Sequence, residues 1–179
     1  YLAILNKYKG NPSKSIDEWA KIMHSFGMGQ YMNNDLAVGA KGLIPDGKFY
    51  EKRYGKNWKP MQAVFNGMGQ GEILLTPLQI ANFTAAIANR GWYYTPHIVK
   101  AIDGKPNPDK RFKEKKHTLV DPKHFDAVIK GMEAVVLSGT GRGLRSKNFT
   151  QLAKTGTAQV PQGRDNSIYT MIAPAENPK

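Results

Sequence analysis

A strand-like segment, residues 152–159, constrains the fold of this 179-residue chain more than any other feature. Because successive strand side chains point to opposite faces, Lys154 and Gly156 share one face, and Thr155 and Thr157 share the other. Gly156 has no Cβ, so a second backbone can approach the strand closely there. The segment therefore predicts an edge strand on which an extended peptide docks beside an ammonium group and hydroxyls.

The clearest helix signals lie at residues 76–89. Thr76 is placed as the N-cap, Pro77 occupies the first helical position, Gln79 completes a capping box, and Gly91 follows the end. The interior is apolar almost all round, which predicts a helix buried on most sides. Its apolar residues are Leu78, Ile80, Ala81, Phe83, Ala85, Ala86, Ile87 and Ala88.

Two further helices are predicted from capping signals and apolar stripes. The first runs from Ser15 to Phe26, with Ser15 and Glu18 as a capping box and Gly27 as its end. The second begins at Asp121 and Pro122 and stops at the glycine-rich turn 138–143. The stripes comprise Ile16, Trp19, Ile22, Met23 and Phe26 in the first helix, and Phe125, Val128, Ile129, Met132 and Val136 in the second.

The remaining segments complete an α+β pattern of helices packed on an antiparallel sheet. The sequence predicts a long irregular excursion at residues 27–60. It predicts a strand from Trp92 to Ile102, interrupted at Pro96. Residues 103–116 are strongly charged. Two strands around a turn at 161–166 end the chain, the second from Ser167 to Ala173, and Glu176–Lys179 resembles a further turn with no strand after it.

An ordered set of motifs resembles the class B penicillin-binding proteins, the monofunctional peptidoglycan transpeptidases, and most of all the penicillin-binding protein 2 branch. The resemblance covers essentially the whole chain. The matching motifs are FGMG at 26–29, GLIP at 42–45, GQGE at 69–72, LTPLQIA at 75–81, AIANRG at 86–91, PHIV at 96–99, KTGTAQ at 154–159 and APA at 173–175.

The serine motifs of that family are absent from the chain. None of the six serines has a lysine three positions later, so the nucleophile motif S-x-x-K does not occur. Ser146-Lys147-Asn148 fits the second motif, S-x-N, but stands too close to Lys154, and we interpret it as part of a turn. We therefore expect residues 1–179 to be the C-terminal part of a transpeptidase domain, with both serine motifs upstream and the final sheet strand and C-terminal helix missing.

The resemblance implies a site centred on the K-T-G strand. Lys154 is the expected catalytic residue of this chain, where its ammonium would stabilise charge near the absent serine. Thr155, Gly156, Thr157, Ala158 and Gln159 are the expected substrate-binding residues. The hydroxyls of Thr155 and Thr157 would bind a peptide carboxylate or that of a β-lactam, and the N–H at Thr157 would complete the oxyanion hole. Ala158 and Gln159 would form walls of the cleft.

The family also implies an activity, partners and a location. The intact enzyme would cross-link stem peptides ending in D-Ala-D-Ala through a serine acyl-enzyme, and β-lactams would acylate the same serine; this chain alone is predicted to be inactive. We expect a membrane anchor outside this segment, on the periplasmic face of the inner membrane of a bacterial cell envelope. The expected partners are an integral-membrane glycan polymerase and the elongation machinery. A septal transpeptidase with the same chemistry is the alternative interpretation of the protein itself.

Composition restricts the remaining classes of function. The net charge of +12 favours anionic partners, and the absence of cysteine excludes disulfides and thiolate metal sites. The four histidines include no i,i+4 pair, so no metal site is expected. No cofactor is expected either. The glycines before Lys154 do not have the spacing of a phosphate-binding loop, and the G-x-G-x-G run at 67–71 lacks the spacing of a dinucleotide site and predicts a tight turn.

Two competing functions remain open from the sequence. The missing serine is compatible with a non-catalytic remnant of the family that binds or acts as a scaffold. The lysine-rich run 105–116 is typical of a solvated loop, but a basic module that binds an anionic polymer or surface remains an alternative. Nucleic acid is not an expected partner, because no basic and aromatic pattern of a known module occurs.

Overall fold

The computed structural model describes residues 2–9, 11–160 and 162–178 and has an α+β architecture. The helices are α1 (Leu2–Lys7), α2 (Pro12–Ser25), α3 (Gly47–Tyr54), α4 (Pro77–Ala88) and α5 (Phe125–Leu137). The strands are β1 (Trp92–Tyr93), β2 (Ala101–Ile102), β3 (Lys105–Pro106), β4 (Lys116–His117), β5 (Leu152–Ala158) and β6 (Asn166–Ile172). They form three antiparallel pairs, β1 with β4, β2 with β3 and β5 with β6. None of the described helices has the length and apolar character needed to cross a bilayer.

One hydrophobic core joins the helices to the β5–β6 hairpin. The apolar face predicted for α2 is at its centre, and the ring of Phe26 lies 5.0 Å from that of Phe83 in α4 and 6.3 Å from that of Phe125 in α5. Leu152 and Ile172, a cross-strand pair, belong to the same buried cluster. Burying a side chain of this size stabilises a fold by about 1.5–3 kcal/mol. The first residues of β5 are therefore fixed to the core, and they position the rest of the strand.

The prediction for α4 is confirmed at both ends. Thr76 Oγ1 accepts a hydrogen bond from Gln79 N, and Gln79 Oε1 accepts one from Thr76 N, so both halves of the capping box are present. The expectation of burial on most sides is confirmed, because the exposed positions Pro77, Ala81 and Ala85 lie on one face. The buried sides also carry polar residues with bonded side chains, such as Asn82, whose Nδ2 donates to a backbone carbonyl at 2.9 Å.

The N-cap of helix α2 lies four residues before the one that the capping-box pattern predicts. Asn11 is the N-cap, and its Oδ1 accepts from Lys14 N at 2.9 Å, with Pro12 at the first helical position. Ser15 is fully buried inside the first turns and donates its hydroxyl to the Asn11 carbonyl. Ser15 and Glu18 are therefore not a capping box. The predicted end is confirmed, since the N–H of Gly27 bonds to a carbonyl of the last turn.

Residues 27–60 are not structureless throughout. They include α3, which is capped by Asp46 and carries the fully buried Tyr50. The ring of Tyr50 stacks on Trp58 at 4.7 Å and on Tyr54 at 5.9 Å. This aromatic cluster gives the second half of the excursion a core contact, which explains why a helix of eight residues is stable there. Residues 28–46 remain irregular.

The strand predicted from Trp92 to Ile102 is wrong in extent. Only β1 and β2, two residues each, pair at its two ends, and no described strand lies beside residues 94–100. Strand propensity alone does not form a ladder, because every strand needs a partner at the right distance.

The helix predicted from Asp121 is confirmed with two corrections. Asp121 and Pro122 begin a 3₁₀ turn (Pro122–His124), and α5 follows directly from Phe125. Phe125, Met132 and Val136 are buried as predicted, whereas Val128 is 46% exposed and lies outside the packed stripe. The glycine-rich turn follows the end of α5, as expected.

The hairpin predicted at the end of the chain is confirmed. β5 and β6 pair along their whole length, and residues 159–165 connect them. Pro161 of the predicted turn and Lys179 of the predicted final turn lie outside the described residues. Residues 173–177, which follow β6, form a series of bends.

Asp35 ties the irregular excursion to the chain segment after β1. Its carboxylate accepts the backbone N–H of Val99 at 2.8 Å and that of Ile98 at 3.0 Å. The Val99 N–H contributes most to lowering the pKa of Asp35 from its usual 3.8, and the Ile98 N–H adds to it against a desolvation effect in the other direction. The charged carboxylate is thus the form that holds the two segments together.

We expect Asp35→Ala to lower the melting temperature near pH 7, and the difference from wild type to vanish in acid. A lowered folded-state pKa stabilises the fold above the unfolded-state pKa, and this stabilisation is lost as the pH falls through the folded-state value. Thermal melting from about pH 7 down to about pH 2.5 measures the difference. Glu114→Ala, at an exposed carboxylate on a nearby loop, is the matched control. A difference for Asp35→Ala that is unchanged across this pH range would contradict the assignment.

Candidate functional site

Strand β5 carries the predicted site residues from a buried base to an exposed end. Leu152 and Ala153 are buried, while Lys154, Gly156 and Thr157 are exposed. The cross-strand partners on β6 are Thr170 for Lys154, Tyr169 for Thr155, Ile168 for Gly156 and Ser167 for Thr157. Helix α5 packs against β5, and α4 packs against β6. In the described residues β5 pairs with β6 alone, so its other edge is open to a further strand.

The Lys154 side chain is exposed at this strand. Its Nζ donates a hydrogen bond to the carbonyl of the adjacent Thr155. The ion pairs found among the described residues do not include Lys154. The ammonium is therefore accessible to an anionic group, and no described carboxylate neutralises it.

Thr155 is held by a residue that the sequence analysis did not assign to the site. The hydroxyl of Thr140 lies 2.6 Å from that of Thr155, and the two share a hydrogen bond. Thr140 belongs to the glycine-rich turn after α5, where Gly139 N and Gly141 N donate to carbonyls of the last helical turn. The turn is therefore structural, as predicted, and it also orients a site hydroxyl. Its only sequence signal is a threonine between two glycines.

Gly156 leaves the exposed face of β5 uncovered. A Cβ built at this position would meet only the Ile168 side chain at 3.7 Å, which is ordinary van der Waals contact. The described fold thus has room for a side chain here, and glycine keeps that space open. Thr157 is exposed, Ala158 is half-buried at the end of the strand, and Gln159 is exposed just beyond it.

Gln70 is the second residue in contact with the candidate strand that sequence reasoning missed. Its Nε2 donates to the Thr157 carbonyl at 3.0 Å, across 87 positions of sequence. Gly69 and Gly71 on either side have φ of +75° and +78°, which confirms the predicted tight turn. A Cβ on Gly71 would meet Asn66 Oδ1 at 3.1 Å, so the turn needs glycine for both backbone and space. The G-x-G motif gave the turn but not its contact with β5.

Glu72 anchors the same turn to the aromatic cluster. Its carboxylate accepts hydrogen bonds from Tyr50 at 2.7 Å and from Tyr54 at 2.9 Å. Asn66 Nδ2 donates to the Tyr50 hydroxyl at 2.8 Å. Burial, and then the hydrogen bond to Glu72, raise the pKa of Tyr50 well above its usual 10. Tyr50 therefore stays protonated and donates to Glu72, which fixes the base of the turn that carries Gln70.

The other residues that the sequence analysis weighed for function make local structural contacts or lie at the surface. Ser146 Oγ accepts from Asn148 N at 3.1 Å, so the S-x-N letters form a local turn. The His97 ring stacks on Phe112 at 4.4 Å. In the described part of the chain no three His, Asp or Glu side chains stand close enough to hold a metal ion. The lysine-rich run is exposed except at buried Asn107 and Phe112 and half-buried Asp109. The exposed Lys115 places its ammonium over the Trp92 ring, 4.1 Å from the ring centroid.

Comparison with known proteins identifies the class to which this fold and site belong. The model of the penicillin-binding protein transpeptidase domain matches residues 12–179. The chain is 31% identical to the peptidoglycan D,D-transpeptidase MrdA of Acinetobacter baumannii, over 92% of this chain and 27% of that protein. The structure of Pseudomonas aeruginosa PBP2 in complex with WCK 5153 is similar, with a TM-score of 0.78 and 36% identity over 92% of this chain and 37% of that one. Helicobacter pylori PBP2, solved in complex with MreC, is similar with a TM-score of 0.75 and 30% identity. That match covers 91% of this chain and 30% of the PBP2 chain.

The chain belongs to the penicillin-binding protein transpeptidase family, and it is a PBP2-like class B member. The predicted family and fold class are therefore confirmed. The chain spans only 27% of the length of the curated relative from A. baumannii.

Proposed function

We propose that this chain is the C-terminal part of a peptidoglycan D,D-transpeptidase domain and supplies its K-T-G strand. Both serine motifs would then precede residue 1, and the last sheet strand and the C-terminal helix would follow residue 179. The observation that carries the proposal is the exposed Lys154 ammonium on a strand whose outer edge is open to a further strand. Family membership supports it, since the matched relatives are D,D-transpeptidases.

Each residue of β5 has a proposed role toward an extended peptide. The peptide adds to the open edge as a further strand and pairs with the backbone at Thr157. The Thr157 N–H then donates to the oxygen of the attacked carbonyl as part of the oxyanion hole. The hydroxyls of Thr155 and Thr157 bind the terminal carboxylate, with Lys154 adding positive charge. Gly156 keeps the face clear, and Ala158 and Gln159 form walls of the cleft.

The proposed reaction is an acyl transfer in two steps. The serine Oγ of the intact enzyme attacks the carbonyl carbon of the D-Ala-D-Ala bond, the C–N bond breaks, and the serine proton goes to the departing D-alanine amine. An amine of a neighbouring peptidoglycan strand then attacks the acyl-enzyme and forms the cross-link. This step returns a proton to the serine. A β-lactam acylates the same serine by opening its ring, and no leaving group departs. The Lys154 ammonium stabilises the negative charge that develops on the oxygen of the attacked carbonyl in both cases.

The proposed partners and location follow from the relatives. The similar H. pylori PBP2 was solved in complex with MreC, and another similar structure belongs to a peptidoglycan synthase complex. We propose that the intact protein works with an integral-membrane glycan polymerase and the elongation machinery. It would be anchored in the inner membrane of a bacterial cell envelope, with this domain on the periplasmic side.

Covalent labelling with a fluorescent penicillin tests the proposal. We expect the full-length protein to be tagged in stoichiometric amount, and mass spectrometry to place the tag on a serine outside residues 1–179. The 179-residue chain alone should remain untagged. Tagging of the isolated chain, or a folded full-length protein that no penicillin labels, would overturn the proposal.

A further inference from the structure

No described strand pairs with the outer edge of β5, but side-chain donors contact two of its carbonyls. Carbonyl groups two residues apart on a strand point to the same edge, so those of Thr155 and Thr157 point the same way. Both accept a hydrogen bond from a side chain, Thr155 from Lys154 and Thr157 from Gln70. β6 occupies the opposite edge along the whole strand. The acceptors to which an added strand would bind are thus already occupied.

The backbone of Gln70 is held in place by its turn. The backbone N–H of Gln70 donates to the Phe65 carbonyl at 3.1 Å, which closes the turn on one side. Glu72, two residues later, is held by the hydroxyls of Tyr50 and Tyr54. Because Tyr50 is fully buried, this anchor belongs to the core. The backbone of Gln70 is therefore fixed, while the side chain that reaches β5 is only half-buried and can rotate away.

We propose that Gln70 is a displaceable latch on the peptide-binding edge of β5. An extended ligand that donates an N–H to the Thr157 carbonyl along the strand edge competes with the Gln70 carboxamide for that acceptor. This inference rests on the proposed function, since it concerns the same edge. The inference adds to the proposed site a residue that controls entry to its edge, Gln70, which lies 84 positions before Lys154 in the sequence.

A latch of this kind solves the problem of an exposed strand edge. An open edge with free carbonyls is a template on which another chain can pair. The carboxamide satisfies the Thr157 carbonyl while the edge is empty, and it gives way to a ligand that offers a complete ladder of donors. The exchange replaces one hydrogen bond by another, so the latch reduces ligand capture by only about 2- to 10-fold.

The test uses the full-length protein and two substitutions, Gln70→Ala and Gln70→Asn. Neither alanine nor the shorter asparagine side chain can reach the Thr157 carbonyl, and asparagine keeps the polarity of the turn. We expect both variants to capture a fluorescent penicillin about 2- to 10-fold faster at low probe concentration. The half-saturating probe concentration should fall, and the limiting rate at saturation should stay within about twofold, because the acylation step itself is unchanged. Gln162→Ala, at an exposed glutamine in the β5–β6 connection, is the matched control and should label at the wild-type rate.

The possible failures are distinguishable. If wild-type protein is labelled but both Gln70 variants are captured at the same rate or more slowly, the latch is wrong and the proposed function stands. An equal acceleration in Gln162→Ala would also overturn the latch, since the effect would not depend on the Thr157 carbonyl. If folded wild-type protein is not labelled at all, the proposed function fails and the latch fails with it.

Discussion

Replacement of Lys154 by methionine in the full-length protein is expected to slow covalent labelling by penicillin about 10²- to 10³-fold. Methionine keeps the unbranched shape and most of the length of the lysine side chain, and it removes the charge that stabilises the developing oxyanion. The loss of one such group costs a factor of this size. The second-order labelling rate measures the effect. The melting temperature should stay close to that of wild type, because Lys154 is exposed and pairs with no described carboxylate.

Lys147→Met provides the matched control for this prediction. Lys147 is also exposed, lies a few residues before β5 and belongs to the S-x-N-like letters that we interpret as a turn. Its loss should leave the labelling rate unchanged. Equal slowing of the two variants would mean that only the net positive charge of the surface matters. A Lys154→Met protein that labels like wild type would remove Lys154 from the mechanism.

Features of the fold that depend on neighbouring residues were predictable from the sequence. The start of α4 needs only Thr76, Pro77 and Gln79, whose roles follow from their spacing. The hairpin β5–β6 is similar, since its two strands are separated by a short connection. In both cases the residues that decide the structure lie within a few positions of one another.

Features that depend on distant contacts were predicted less well. The letters of a capping box at Ser15 and Glu18 are sufficient for a cap, but Asn11 and Pro12 form the actual start because Ser15 packs into the interior. Helix α3 was missed because Tyr50 is stabilised by contacts with Trp58 and Glu72, which no local periodicity reveals. The strand predicted after Trp92 lacks a partner for most of its length.

The candidate site shows the same difference between local patterns and distant contacts. The positions of Lys154, Thr155 and Gly156 follow from strand alternation, and the structure places them on a strand with an open edge. Thr140 and Gln70 reach β5 from other elements, through bonds that span 15 and 87 positions of sequence. A motif search finds the strand, but only the folded chain shows which side chains surround it.

The amide of Gln79 is the strongest single tie between α4 and the irregular residues before it. Its side chain is 1% exposed, and its Nε2 donates to the carbonyls of Gln30 at 2.9 Å and Lys41 at 3.0 Å, with a longer contact to that of Gly27 at 3.4 Å. Its Oε1 accepts from Thr76 N at 3.1 Å. One buried side chain therefore satisfies carbonyls of two irregular segments, one at residues 27–30 and one at Lys41, and also the N–H of its own helix cap.

We expect Gln79→Leu to reduce the free energy of unfolding by about 3–4 kcal/mol, because it removes the donor from one buried and two part-buried carbonyl contacts, at about 1–3 kcal/mol each. Urea unfolding of the full-length protein measures the loss. Gln62→Leu is the matched control, since Gln62 also accepts from the backbone N–H three residues earlier, that of Lys59 at 2.8 Å, but it is only half-buried. That substitution should cost less than about 1 kcal/mol. Comparable losses in the two variants would show that the capping bond matters rather than the buried amide, and the irregular segment would then be held by its other contacts, Asp35 first among them.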